Sequence, residues 1–486
     1  MSARQSSNAP NDTPPKLAPR IGLWLGLVWI MLVMILPAPG DMTSSAWHCI
    51  GLALLMATWW STEAIPIPAT SLLPIILVPA LGIGSTKEAT AAYANPIIFL
   101  FLGGFLLGLA MQRWNLHRRI ALKTLTLVGQ NPKRQVAGFM LATGFISMWV
   151  SNTATAIMML PIGTSVIALL GDNDKEEVQR YATSLLLAIA YAASIGGVAT
   201  LIGTPPNALL AGYLSNSRNI DIGFAQWMVV GLPVAIIMMV IAWWWLTRGG
   251  FNFKQGNTGA TMLREELARL GPMSSSEKRV GLAFLLAAAA WILRPMLNNL
   301  GIEWLSDTGV AMIIGIGLFL MPAAPRTRER LMDWDEAVKL PWGVLLLFGG
   351  GLALAGAIKN SGLAEWIANQ LAVFGALPIL LLIGIVVLVI IFLTEVTSNT
   401  ATAAAFLPLL GALAISLDVS PLLITVPAAI AASCAFMMPV ATPPNAIVFA
   451  TGEMKIQSMI RAGLFLNLIG TVLITLLVYT LINLFW

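Results

Sequence analysis

The chain contains Ser151-Asn152-Thr153-Ala154-Thr155-Ala156, followed by Pro161, and writes it again as Ser398-Asn399-Thr400-Ala401-Thr402-Ala403, followed by Pro408. Each copy sits inside a long apolar stretch, 135–169 and 378–413, and each is followed by a second polar break, Gly203-Thr204-Pro205-Pro206-Asn207 and Ala441-Thr442-Pro443-Pro444-Asn445. Paired prolines and glycine cannot sustain a helix. In lipid every backbone group so freed needs another partner. Small Ser, Thr and Ala residues also mediate close helix packing with no ligand involved, a reading that suits one isolated copy. Two copies in matching places, each with its own Pro-Pro-Asn break, are instead the sequence pointer to a transporter's binding site.

Composition supports a membrane setting. Of 486 residues 58% are apolar and only 10% charged, with a mean hydropathy of +0.83, whereas soluble domains carry about 25% charged residues. The chain is expected to be an all-α polytopic membrane protein. The pI near 9.3 does not indicate a nucleic-acid partner, because the basic residues are scattered through short loops, where they set orientation. Cys49 and Cys434 lie far apart in apolar segments and imply no disulfide framework. Residues 1–20 are polar and Pro-rich and read as a disordered cytoplasmic tail, with no cleavable signal evident.

Read in order, spans are expected at about 21–38, 46–62, 66–83 (irregular, from its prolines) and 96–112, with Gly103-Gly104 inside the last. Residues 115–130 form a basic amphipathic surface helix. The first Ser-Asn-Thr stretch, the broken segment 181–214 and a span at 226–247 follow. After a polar connector, 249–279, come spans at 280–297, 305–322 and 341–358, the last with Gly349-Gly350-Gly351, then an amphipathic helix at 360–376. The second Ser-Asn-Thr stretch, a broken segment at 421–450 and a span at 462–484 complete the chain. The same order thus occurs twice, in 46–248 and 280–486, with 21–45 outside the repeat. The serines lie 247 residues apart (151 and 398) and the first prolines 238 (205 and 443).

If each Ser-Asn-Thr stretch is a re-entrant hairpin, each unit crosses five times, and an odd number inverts the second unit. That gives about 11 transmembrane helices plus two hairpins. With the N-terminus inside, all 27 Lys and Arg except Lys87, Arg218, Arg294 and Lys359 fall on the cytoplasmic side, as the positive-inside bias requires. The C-terminus is then outside.

Hairpin tips expose helix N-termini, which attract anions, while freed carbonyls and side-chain oxygens suit Na⁺. No Lys or Arg occurs between Arg134 and Lys175 or between Lys359 and Lys455. A multivalent anion held here is therefore offset by dipoles and co-bound cations, which favours sodium coupling over sodium-independent exchange. Glu395 is an acid at membrane depth, either a structural hydrogen-bonding group or a proton carrier. Glu63, His48 and His117 sit at span ends and read as structural, solvated or packing residues, and the glycine pairs as packing devices.

At these residues the chain resembles the divalent anion:sodium symporter family, the bacterial and animal di- and tricarboxylate carriers. The likeness covers nearly everything after the tail and rests on Glu63-Ala64-Ile65-Pro66, both Ser-Asn-Thr-Ala-Thr motifs and both Thr-Pro-Pro-Asn breaks. It implies an elevator-type homodimer in the inner membrane, with a mobile transport domain (about 133–225 and 378–486) and a static scaffold of the remaining spans. It implies substrate carboxylates at Ser151, Asn152, Thr153, Ser398, Asn399 and Thr400, with Thr204, Pro205, Thr442 and Pro443 lining the pocket. A first sodium site would use Ser147, Ser151, Asn152 and the Gly203 carbonyl. A second would use Thr394, Thr397, Asn399 and the Ala441 carbonyl. The expected function is Na⁺-coupled uptake of a C4 dicarboxylate (succinate, malate or fumarate) with two or more co-transported Na⁺. The alternative is a proton-coupled or exchanging anion carrier for citrate, sulfate or dicarboxylate, with Glu395 as its proton site. An intramembrane enzyme would need a second acid, histidine or paired cysteine beside Glu395, which its segment lacks. A channel suits a single inverted pair less well than alternating access.

Overall fold

The computed structural model describes residues 17–129, 131–170, 174–251, 258–302, 304–371 and 377–486, and the regular elements among them are helices. Parts of the expected tail (1–16), connector (252–257) and second surface helix (372–376) lie outside the described residues. α1 (Leu17–Ile35) and α2 (Ser44–Thr62) pack as an antiparallel pair, Gly22 against Thr62 and Gly51 against Val33. α1 already includes Leu17, Ala18, Pro19 and Arg20, which the sequence reading assigns to the tail. The irregular 66–83 span resolves into α3 (Ile67–Thr70) and α4 (Leu73–Ala80), each with proline in its opening turn. α5 (Thr86–Ala91) starts from a Ser85–Glu88 capping box and leads into α6 (Pro96–Arg113).

The basic surface helix is α7 (Leu116–Val128). α8 (Pro132–Ser147) and α9 (Asn152–Ala168) divide the first Ser-Asn-Thr stretch, and α10 (Lys175–Val198) runs beside both. Tyr181 Oη donates to Gln135 Oε1 at 2.8 Å at one end of α8. Ser147 Oγ donates to the Ala193 carbonyl at 2.6 Å at the other, so α8 is parallel to α10. α9 returns the opposite way, with Gly163 against Phe139 and Ile189. The stretch is therefore a helical hairpin with 148–151 at its tip. Its 16- and 17-residue arms are about 24–26 Å long, shorter than a bilayer's hydrocarbon core of about 30 Å. α10 is buried at every residue from Ser184 to Val198, the all-round apolar pattern of a core helix.

α11 (Pro205–Arg218) and α12 (Phe224–Thr247) close the first half. α13 (Thr258–Arg269) and α14 (Ser275–Asn299) follow. Together they grip α7: Arg119 pairs with Glu277 at 2.7 Å and donates to the Gly271 and Leu270 carbonyls, and Arg118 pairs with Glu266 at 2.7 Å. α15 (Asp307–Leu320), α16 (Trp334–Ala337), α17 (Trp342–Asn360) and α18 (Leu363–Leu371) precede the second Ser-Asn-Thr stretch. That stretch divides into α19 (Ile379–Thr394) and α20 (Asn399–Ser416). α21 (Pro421–Ala432), α22 (Pro443–Phe449), α23 (Ile456–Leu473) and, past one π-turn, α24 (Tyr479–Phe485) end the chain. The glycine pairs let helices cross at backbone contact: a Cβ on Gly103 would overlap the Ala311 carbonyl of α15, and one on Gly350 the Ser71 carbonyl. Eight of the described helical runs are long and apolar enough to cross a membrane.

Candidate functional site

At the first tip, Ser151 caps α9, its Oγ accepting from Ala154 N at 3.3 Å. The next residue, Asn152, lays its amide among three oxygens: Ser147 Oγ at 2.6 Å, the Ala193 carbonyl at 3.1 Å and the Gly203 carbonyl at 3.3 Å. With its nitrogen turned inward the amide donates to all three. With its oxygen turned inward, four oxygens converge, the donor set that a Na⁺ ion takes from a broken helix. Gly197 faces this cluster with no side chain, its backbone against both Asn152 and Gly203. A Cβ there would enter the space that the amide occupies.

The second tip repeats the arrangement. Thr394 stands where Ser147 does: its Oγ1 lies 2.7 Å from Asn399 Oδ1 and 3.0 Å from the Ala432 carbonyl. Ala441 is buried and directly precedes Thr442, as Gly203 precedes Thr204. The two threonines start their helices with nearly equal dihedrals, φ −143°, ψ 141° and φ −140°, ψ 149°. Two expected residues behave differently. Thr397 directs its hydroxyl to the Leu393 carbonyl and to Thr402 Oγ1 at 2.6 Å, away from Asn399. Ser398 makes no side-chain cap, unlike Ser151. Asn152, Thr153, Asn399 and Thr400 are all half-buried in the opening turns of α9 and α20.

The Pro-Pro-Asn breaks are knitted by their asparagines. Asn207 Nδ2 donates to the Gly197, Val198 and Thr200 carbonyls at 3.3, 3.3 and 2.8 Å. Asn445 Nδ2 donates to those of Ala435 and Met438, each at 3.1 Å. Carbonyls lost to the helix ladder thus regain donors, as an apolar surrounding demands. The halves also interlock. α9 packs on α22 and α20 on α11, Thr204 Oγ1 meets Ser433 Oγ at 3.3 Å, and Tyr191 Oη donates to the Phe436 carbonyl at 2.9 Å. The opening turns of α9, α11, α20 and α22 therefore belong to one packed unit, with Pro205 half-buried and Pro443 exposed at the starts of α11 and α22. No basic side chain takes part in these contacts.

The two tips are braced unequally. At the first, Thr200 Oγ1 donates to the Met148 carbonyl at 2.5 Å, and Trp149 stacks with Phe224 and Trp291 and meets Phe284 edge-on. At the second, the residue matching Met148 is Glu395, 3% exposed. Its Oε1 accepts from Phe436 N (2.7 Å), Met437 N (2.9 Å) and Asn467 Nδ2 (2.7 Å), and its Oε2 from Met438 N (2.9 Å). The carboxylate is a staple between the tip, the break after α21 and helix α23. Sequence reasoning found Glu395 but missed Asn467, Tyr191, Ser433 and the Ala193 and Ala432 carbonyls. Only the constant offset between halves could have paired the two carbonyls. The structure leaves Glu63 in a left-handed C-cap of α2 (φ 50°), and His48 and His117 on the carbonyls of Leu81 and Met111.

The family model for the sodium:sulfate symporter transmembrane region matches residues 19–486. The sodium-dependent dicarboxylate transporter SdcS of Staphylococcus saprophyticus is 43% identical over 98% of this chain and 94% of its own length. SdcS of Staphylococcus aureus strain USA300 is 44% identical over 94% and 90%. Among solved structures, the YdaH transporter of Alcanivorax borkumensis superposes with a TM-score of 0.59 at 14% identity, over 96% of this chain and 99% of that one. MtrF of Neisseria gonorrhoeae gives 0.58 at 14% identity, over 96% and 95%. These two likenesses concern the fold. The chain is a multi-pass membrane protein that belongs to the sodium:sulfate symporter family, the divalent anion:sodium symporters.

Proposed function

We propose that this protein carries C4 dicarboxylates such as succinate, malate and fumarate into the cell together with two or more Na⁺ ions. It acts as a symporter and not as an enzyme. The observation that carries the reading is the paired oxygen cluster, Ser147–Asn152 and Thr394–Asn399, each at the opening turn of a helix with no basic side chain. Asn152 with Ser147, Ser151 and Gly203 holds one Na⁺. Asn399 with Thr394, Thr397 and Ala441 holds another, Thr397 through its backbone, since its hydroxyl is turned to α20. The substrate carboxylates take the donors of Ser151, Asn152, Thr153, Ser398, Asn399 and Thr400, between walls formed by Thr204, Pro205, Thr442 and Pro443. Two bound cations then offset the dianion, which neither tip neutralises with a side chain. The names of the SdcS relatives support the choice of substrate class. Glu395, which a proton-coupled carrier would use, is engaged by four N–H donors as a staple.

In this reading the two units form an inverted repeat of about 11 spans with two re-entrant hairpins, the N-terminus inside and the C-terminus outside the inner membrane. The hairpins and broken helices (133–225 and 378–486) move as an elevator against a scaffold within a homodimer. We add α12 to the moving body, because Trp227 Nε1 donates to the Val198 carbonyl of α10 and Trp245 stacks on Phe465 of α23 at 3.6 Å. The Arg119–Glu277 and Arg113–Asp333 ion pairs join scaffold segments only. The test is radiolabelled succinate uptake into proteoliposomes, with external Na⁺ replaced by choline. Loss of uptake in choline supports symport. Unchanged uptake that instead requires internal dicarboxylate overturns it in favour of exchange.

A further inference from the structure

The two oxygen clusters are joined by two buried hydrogen bonds, both reaching from the first half into the second. α10 gives its Ala193 carbonyl to the first cluster, where it accepts from Ser147 Oγ at 2.6 Å. Two residues earlier on the same helix, Tyr191 is fully buried, and its Oη donates to the Phe436 carbonyl at 2.9 Å, with the Met459 carbonyl at 3.4 Å. Phe436 opens the segment whose N–H groups Glu395 holds and which leads on to Ala441. The second link is more direct. Thr204 follows Gly203, whose carbonyl lies in the first cluster, and its Oγ1 is 3.3 Å from Ser433 Oγ. Ser433 follows Ala432, whose carbonyl lies in the second cluster, 3.0 Å from Thr394 Oγ1. Thr204 and Ser433 are 2% and 1% exposed, so this bond is shielded from solvent.

The repeat itself does not call for these contacts. Ala193 and Ala432, which play the same part at the two tips, lie 239 residues apart. The same offset sets Ile430 opposite Tyr191 and Ser194 opposite Ser433. Ile430 fills its buried place with no hydroxyl, and the buried Ser194 hydroxyl has no partner among the described residues. Neither link therefore has a reversed copy. An ion held between the Ala193 and Gly203 carbonyls fixes α10 and the first break, and with them the groups that hold Phe436 and Ser433. The second cluster then has less order to gain when its own ion binds. Linkage requires the second ion to tighten the first by the same factor.

We propose that Tyr191 and Ser433 are positioning residues that make Na⁺ binding at the two tips cooperative. The inference rests on the two Na⁺ sites proposed above. Its test is equilibrium binding of radiolabelled Na⁺ to purified full-length protein, without dicarboxylate and with choline holding the ionic strength constant. The wild type is expected to bind with a Hill coefficient well above unity. In Tyr191→Phe, which keeps the ring, and in Ser433→Ala, which deletes a single oxygen, the coefficient should fall towards unity. Half-saturating Na⁺ should rise about fivefold or more, the lower end of the usual range of coupling between sites. A merely structural role would lower the melting midpoint and leave the Hill coefficient as it was. Ser433→Ala removes so little that it carries the test even if Tyr191→Phe folds poorly. The proposal is overturned by a wild type that binds Na⁺ without cooperativity, or by a Hill coefficient that neither substitution lowers. Absence of saturable Na⁺ binding in the wild type is a different failure, which overturns the Na⁺ sites themselves and the proposal with them.

Discussion

Glu395→Gln keeps the size of the staple and removes its charge, so its effect can be worked from the four donors around it. Hydrogen bonds to a charged group contribute about 1.5–3 kcal/mol, those between neutral groups about 0.5–1.5. With the glutamine oxygen in the Oε1 position, the bonds from Phe436 N, Met437 N and Asn467 Nδ2 survive as neutral ones, each weaker by about 1 kcal/mol. The glutamine NH₂ then faces the Met438 N–H, leaving two donors opposed at a cost of about 1–3 kcal/mol. Allowing for non-additivity, the total is about 3–5 kcal/mol, within the stability of a typical fold. The protein is therefore expected to fold with its 436–438 segment loosened. Ala441 follows three residues later, so Na⁺ binding at the second tip must restore that order. Each 1.4 kcal/mol so required raises half-saturating Na⁺ tenfold. Sodium titration of succinate uptake in proteoliposomes should show a rise of about 10- to 100-fold in Glu395→Gln, with the maximal rate largely kept at saturating Na⁺. An unchanged Na⁺ dependence, or a defect that appears only when the proton gradient is varied, would refute the staple and restore Glu395 as a proton carrier.

Asn207→Leu removes three bonds from the first break and is expected to lower stability by about 2–4 kcal/mol, read as a drop in melting midpoint larger than that of Asn216→Leu on the exposed surface. Arg119→Met strands the buried Glu277 carboxylate and should cost about 3–5 kcal/mol. The double variant Arg119→Met with Glu277→Leu should recover most of it, and a double variant no better than the single one would contradict the pairing. Burial, reinforced by Arg118, holds the His117 imidazole below its ordinary range against the opposing pull of the Met111 carbonyl. The folded chain therefore binds fewer protons than the unfolded one, and stability is lost as pH falls from about 6.5 downward. Melting midpoints between pH 7.5 and 5.5 should fall in the wild type and fall less in His117→Gln. Equal slopes would show that α7 does not sense this proton.

Much of the site was legible because its chemistry is local. Ser-Asn-Thr and Pro-Pro-Asn each interrupt an apolar run within a few residues, and the structure places helix starts at Asn152, Asn399, Pro205 and Pro443. The glycine pairs were also readable, since only close backbone approach explains them so deep in a span. What escaped was contact between distant segments: Glu395 meets Asn467 across 72 residues and Tyr191 meets Phe436 across 245, with no local periodicity to announce either. The direction of the Thr397 hydroxyl depends on Thr402, one turn into the next helix, which motif spacing does not reveal. Residues 17–20 belong to α1 although a proline-rich stretch reads as tail.

The most direct measurement is Na⁺-driven succinate uptake by Asn152→Ala and Asn399→Ala, assayed separately beside the wild type in proteoliposomes. If the two tips form one twofold site, wild-type uptake requires Na⁺ and each single alanine abolishes it. Coupled uptake in either variant with wild-type Na⁺ dependence would contradict the twofold site.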